Sequence, residues 1–256
     1  MSLSPAEWKR FYAAERARLG RRALEAMVER APAIGDARAA IFPHTRLEVT
    51  GDYVAAAARA VIDRGADEVL AIGVLHGAPT PERRVHLPSE PTKDEFSLDA
   101  FEALLSVAAD RAGRAAPRVH ARYPLHVGTE PETLDGVDEL ARLAERMPVV
   151  ATADPIHHGI GYGDDRTSAR RADDATGFAR ESIEAQLGAL AARDLAAFQA
   201  ECARVRSDFR NAGPALAYVL GRGFSFEVRA LALVDYAEAL VAPAPTWVAG
   251  ALIAAS

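Results

Sequence analysis

The chain has 256 residues, half of them hydrophobic and 26% charged, with 18 Gly, 15 Pro and a single cysteine. That composition excludes a disordered, collagenous or disulfide-stapled chain, and the length suits one large domain or two small ones. A net charge of −6 offers no basic surface for non-specific nucleic-acid binding, and no apolar run approaches the ~20 residues of a membrane helix.

Residues Met1–Arg22 mix charges throughout and lack an apolar signal core. The lone Cys202 cannot close an internal disulfide, so the expected compartment is the reducing cytoplasm. High alanine, with Arg used almost everywhere in place of Lys (only Lys9 and Lys93), is the habit of GC-rich, bacterial coding and carries no function.

An apolar stripe through Trp8, Phe11, Tyr12, Leu19, Leu24 and Met27 predicts a helix over about 5–30. Ala39-Ala40-Ile41-Phe42 reads as a short buried strand ending at Pro43-His44. Thr50 and Gly51 open a helix that runs through Val54, Ala58, Val61 and Ile62 and stops near Gly65. Val69–Gly73 reads as a strand ending before His76, and a proline-rich loop runs from Pro79 to Pro91. Helix is expected over Ser97–Ala112, strand over Val119–Val127, and helix over Leu134–Arg146. Val149–Ala153 is a third strong strand, ending at Asp154. Helices follow over about 174–192 and 195–206, with a shorter one over Gly213–Leu220. Phe224–Tyr236 and Trp247–Ala254 are β-prone and read as a strand pair. No repeat or boundary divides the chain. The expectation is one α/β domain over 1–256, a three-layer α/β/α sandwich around a mixed, mostly parallel sheet.

Three strands end in residues that can ligate a metal: His44, His76, and Asp154 with His157 and His158. Ligands in open α/β sheets bind at the carboxyl ends of strands. Two neutral imidazoles and an oxygen ligand with open positions suit non-haem iron(II), and zinc accepts the same atoms. Each residue also has an ordinary structural use. Asp154 can cap the turn after its strand, His157 can serve as a cap or loop contact, and His158 reads as structural. His86, His120 and His126 fall in the proline loop or within a strand. Gly159-Ile160-Gly161-Tyr162-Gly163 lacks the spacing of a nucleotide loop and reads as a flexible edge of the site. No phosphate-binding loop or Gly-x-Ser-x-Gly elbow is present, and Cys202 on its helix reads as a buried, inert thiol.

In three segments the chain resembles the Memo family, relatives of the class III extradiol ring-cleavage dioxygenases. They are Phe42-Pro43-His44 leading to Thr50-Gly51, Gly73-Val74-Leu75-His76-Gly77, and Ala153-Asp154-Pro155-Ile156-His157-His158-Gly159. Ser182-Ile183-Glu184, Asp194 and Phe198 match the family's two-helix stretch. Asp235-Tyr236-Ala237 and Ala249-Gly250-Ala251-Leu252 resemble its closing strands. The resemblance spans residue 36 to the end, in order.

The resemblance implies His44 and His76 as metal ligands and His157 as the acid/base histidine, with Asp154 orienting it or the metal. Two departures stand out. The family's Glu-His-Ser-x-Glu-x-His segment reads Glu95-Phe96-Ser97-Leu98-Asp99-Ala100-Phe101 here, with both histidines replaced by phenylalanine. Ungapped matching to Pro214, taken as the start of a helix, puts Arg210 where the family has a Cys or Glu ligand. A guanidinium does not ligate iron, so Asp208 is the third-ligand candidate, with Asp99 or Asp154 instead. Arg210 is then a candidate for binding a substrate carboxylate. The implied activity is an Fe(II) oxygenase acting on a small aromatic or chelating substrate with O2, in a possible homodimer. The alternatives are a zinc hydrolase on the same scaffold, or a non-enzymatic Memo-like protein that binds metal or peptide.

Overall fold

The computed structural model describes residues 3–77, 81–88, 94–171 and 174–256. Helix α1 (Pro5–Arg30) starts on a capping box. Ser4 Oγ accepts from the Glu7 amide and Glu7 Oε2 accepts from the Ser4 amide, with Pro5 in the first turn. The helical dihedrals break once, at Gly20 (φ 68°). Strand β1 (Ala39–Phe42) leads to α2 (Leu47–Asp63), which begins before the expected Thr50. The capping group comes from elsewhere: the buried Glu15 carboxylate of α1 accepts from the Leu47 amide at 3.0 Å.

Next come β2 (Glu68–Ile72), the two-residue β3 (Val85–His86), α3 (Asp99–Arg111), β4 (Arg118–Pro124), α4 (Val137–Ala144) and β5 (Val149–Thr152). Residues 79–80 and 89–91 of the expected proline loop lie outside the described residues. His157 and His158 are not in a loop. They lie in β6 (Ile156–Gly159), which runs into a short 3-10 turn, Ile160–Tyr162. Helices α5 (Thr176–Ala192), α6 (Leu195–Val205) and α7 (Phe209–Leu220) precede β7 (Phe226–Asp235) and β8 (Thr246–Ala255).

The sheet order is β3-β4-β2-β5-β1-β8-β6, with β7 on the other side of β8. The four central strands, β4-β2-β5-β1, are parallel, and every pairing outside them is antiparallel. The central strands bury alternate residues in two cores. Ala40, Phe42, Val69, Ala71 and Val150 face α1–α3. Ala39, Ile41, Leu70, Ile72 and Val149 face the layer of α4–α7. This two-sided burial explains why these strands read as unbroken apolar runs. The molecule is therefore an α/β/α sandwich on a mixed sheet. No helix among the described residues is long and apolar enough to cross a membrane.

Candidate metal centre

Strands β1, β2 and β5 end side by side, and the loops that leave them carry His44, His76 and Asp154. The fourth contributor arrives from the helical layer. Helix α7 starts at Phe209, well before Pro214, so the proline lies inside it and does not lead it. A proline cannot donate to the carbonyl four residues back. That carbonyl, of Arg210, accepts from Gln199 Nε2 at 2.7 Å instead. The earlier start puts Asp208 at the helix N-cap and turns its carboxylate onto His44. Asp208 Oδ1 accepts from the Asp154 amide at 2.8 Å. Its Oδ2 is buried with no hydrogen-bond partner among the described residues, 3.1 Å from His44 Nε2.

Each imidazole is held from behind at Nδ1. The Thr152 hydroxyl gives its only proton to the Phe42 carbonyl at 2.9 Å. It must then accept from His44 Nδ1, 3.1 Å away, which leaves Nε2 as the other ring nitrogen facing Asp208. His76 Nδ1 lies 3.1 Å from Glu95 Oε1, and its ring stacks on Phe96 at 4.4 Å. His157 Nδ1 donates to the Arg206 carbonyl at 2.8 Å. In all three, the outer-sphere acceptor fixes the tautomer that leaves the Nε2 lone pair for a metal.

Electrostatics follow from the geometry. Burial opposes charge on His44, but Asp154, Asp208 and Glu95 outweigh it and raise the imidazole to about 9. Burial and the neighbouring Asp208 charge push Asp154 up. Asp208 is held below its ordinary range, against burial, by His44 and His157. Burial also opposes the charge on Glu95, yet hydrogen bonds from His76 and Ser97 keep it low. The place a proton takes on His44 Nε2 is the place a cation would take.

Two groups of three ligand atoms each lie within 4.8 Å of one another: His44, His76 and Asp208, and Asp154, His157 and Asp208. The first is a two-histidine, one-carboxylate set, and its N and O donors suit a divalent Fe or Zn ion without choosing between them. The buried Asp208 oxygen that faces His44 Nε2, and the imidazoles held at Nδ1, fit such an ion. The site is therefore a buried His/Asp cluster able to hold a divalent metal, as expected of a metal-dependent enzyme. Asp99 is not part of it. It pairs with Arg16 at 3.1 Å and opens α3.

Comparison of the sequence with protein-family models and with curated proteins finds no match to either.

Two cavities meet at the cluster. A chamber of about 80 Å³ is walled by Trp8, Tyr12, Phe96, Tyr162 and Tyr236 and reaches His44, His76, Asp154 and His157. An open cleft of about 680 Å³ also reaches His76, together with Asp208, and carries Arg206, Arg210 and Asn211. Arg210 is exposed in the first turn of α7. Its guanidinium has no hydrogen bond or ion pair among the described residues. His158 is structural, with Nδ1 donating to Asp164 at 2.8 Å and Nε2 accepting from the Arg170 amide at 2.9 Å. Burial pushes the Cys202 thiol up to about 12, so it stays protonated and inert.

Sequence reasoning assigns no role to Glu95, Thr152 or the Arg206 carbonyl. Glu95 stands in the segment compared with the Memo family, two residues from Ser97, so its position was available. Thr152 carries no signal of its own. Arg206 acts through its backbone, placed by a left-handed φ of 53° at the end of α6, and a residue type cannot announce that.

Proposed function

We propose that the protein is a non-haem iron(II) oxygenase of the Memo and class III extradiol kind, acting on a small aromatic or other chelating substrate. The observation that carries this reading is the set of His44 and His76, each held at Nδ1, with the buried carboxylate oxygen of Asp208 facing His44 Nε2 at 3.1 Å. Iron(II) held there would supply open coordination positions for substrate and O2. The kinship rests on the motifs quoted above.

The remaining residues have roles that follow from their positions. His157, tied by Nδ1 to a carbonyl, can take a phenolic proton at Nε2 and return it later. Asp154 beside it stabilises the imidazolium so formed. The five aromatic rings of the small chamber exclude bulk water, and the substrate enters from the larger cleft. Arg210, on that cleft, engages a substrate carboxylate through a two-pronged contact. Hydrogen bonds to charged groups are worth about 1.5–3 kcal/mol. Arg210→Ala is expected to raise KM for a carboxylated substrate roughly 10–100-fold on that basis and to leave kcat unchanged. An unchanged KM removes Arg210 from the reading.

The test of the function is oxygen uptake by Fe(II)-loaded protein with a panel of catechols and other chelating aromatics. Wild-type protein should consume O2 with substrate, and His44→Ala and His76→Ala should not. Zinc retention with O2-independent hydrolysis would replace this reading with the hydrolase, since the donor set accepts zinc equally well. A fold that holds no metal at all would leave a binding role.

A further inference from the structure

The cluster offers five donor residues, and they do not fall into a single group. A metal with bonds of about 2.0–2.2 Å brings ligand atoms to at most roughly 4.4 Å apart. The five donors divide into two groups, each within 4.8 Å, that have only Asp208 in common. The groups are adjacent, with His44 Nε2 3.7 Å from Asp154 Oδ2. Carboxylate-bridged pairs of metals stand at about 3.5–4 Å in many enzymes. Asp208 is the residue common to both groups, with Oδ2 buried and facing His44 Nε2 at 3.1 Å and Oδ1 accepting from the Asp154 amide at 2.8 Å. His157 is prepared as His44 and His76 are, its Nδ1 bound to the Arg206 carbonyl at 2.8 Å and its Nε2 left over.

We propose that Asp154, His157 and Asp208 form a second divalent-cation seat beside the first, weaker than it, and that filling it withdraws His157 from proton transfer. This rests on the proposed function for the first seat and adds a means of restraint by excess metal. The second seat is the weaker for three reasons. It has one imidazole where the first has two. Asp154 Oδ1 already accepts from the His44 amide at 3.1 Å. A cation in the first seat repels another nearby.

The experiment is a Co(II) titration of chelator-stripped, full-length protein without oxygen. Bound metal is counted after gel filtration, and magnetic coupling is read by electron paramagnetic resonance. Wild type is expected to take one equivalent tightly and a second at higher Co(II), with coupling between the two. His157→Gln and Asp154→Asn should each lose the second equivalent and the coupling while keeping the first. Near-ultraviolet circular dichroism checks that both variants fold. A single equivalent, lost in His76→Gln and untouched by His157→Gln, overturns the second seat and leaves the first standing. A second equivalent that survives both His157→Gln and Asp154→Asn overturns it too. No binding at all overturns both seats.

Discussion

Glu95 spends its accepting capacity on His76 and on the turn that follows. One oxygen takes the His76 amide at 2.6 Å, while the other takes the Phe96 and Ser97 amides at 2.8 Å each and faces His76 Nδ1 at 3.1 Å. A neutral amide of the same shape cannot reproduce this, because its NH2 would face N–H groups. Loss of such an outer-sphere partner typically costs roughly 10–100-fold in metal affinity. Glu95→Gln is therefore expected to weaken Co(II) binding by about that factor, while His44 and Asp208 hold their places. Retained wild-type affinity in a direct titration would show that Glu95 does not aim His76. The gathering of His44 and His76 was legible from the sequence, because strand ends are where an α/β sheet exposes its ligands; His157 reaches the cluster from within β6. The atoms behind the three rings were not legible, since two are ordinary side chains and the third is a backbone carbonyl.

At the scale of elements, the core strands were legible and the helix starts were not. A two-sided apolar strand announces itself. A helix can begin wherever a distant group covers its first amides, as Glu15 does for α2. For α7 the proline misleads, because Gln199 satisfies the carbonyl that Pro214 leaves free. This displaced the expected start of α7 and put Arg210 at the position matched to the family's third ligand, while Asp208, the carboxylate named in its stead, stands at the observed N-cap. The position of α7 depends in turn on Gly213, where a Cβ would meet Phe198 Cζ at 2.5 Å. Overpacking of this kind costs about 1–3 kcal/mol. Gly213→Ala should show that loss in chemical denaturation and should also weaken metal binding through Asp208. A stability loss without any change in affinity would uncouple α7 from the site.

Strand β6 and the segment after it carry a pH dependence. His158 is pushed below its ordinary value of 6.5 mainly by burial. Asp164 is held below 3.8, against burial, by the Gly159 amide, Arg206 and His158. Both groups bind protons more readily in the unfolded chain, so each contributes stability that is complete above the unfolded value and lost as pH falls. Comparison of melting curves should show the penalty of His158→Gln in full at pH 7.5 and shrinking below about pH 6.5. A penalty independent of pH would mean that packing alone accounts for His158.

For the molecule as a whole, a metal held by this cluster would join the sheet to a helical layer, since His44 and His76 follow central strands while Asp208 begins a helix of the α4–α7 layer. A ligand that binds only the folded chain, at 100 times its Kd, adds about 2.7 kcal/mol, roughly 5–10 °C in Tm for a chain of this length. Fe(II) or Co(II) should raise the Tm of stripped protein by that much, chelator should reverse it, and His44→Ala with His76→Ala should abolish it. The sheet also imposes an order of assembly. Strand β6, which carries His157, has β8 as its sheet partner, and β8 also joins β1 and β7. A domain emerging from the ribosome at about 5–20 residues per second can form its N-terminal pairings first. The parallel strands can thus assemble while the last antiparallel one is still inside the translation machinery. Until residues 246–255 are released, the nascent chain has an unpaired edge along β1 and a histidine without its scaffold. Completion of the His/Asp cluster is therefore tied to the arrival of β8, and a chain stalled before β8 would hold His157 without the strand that places it.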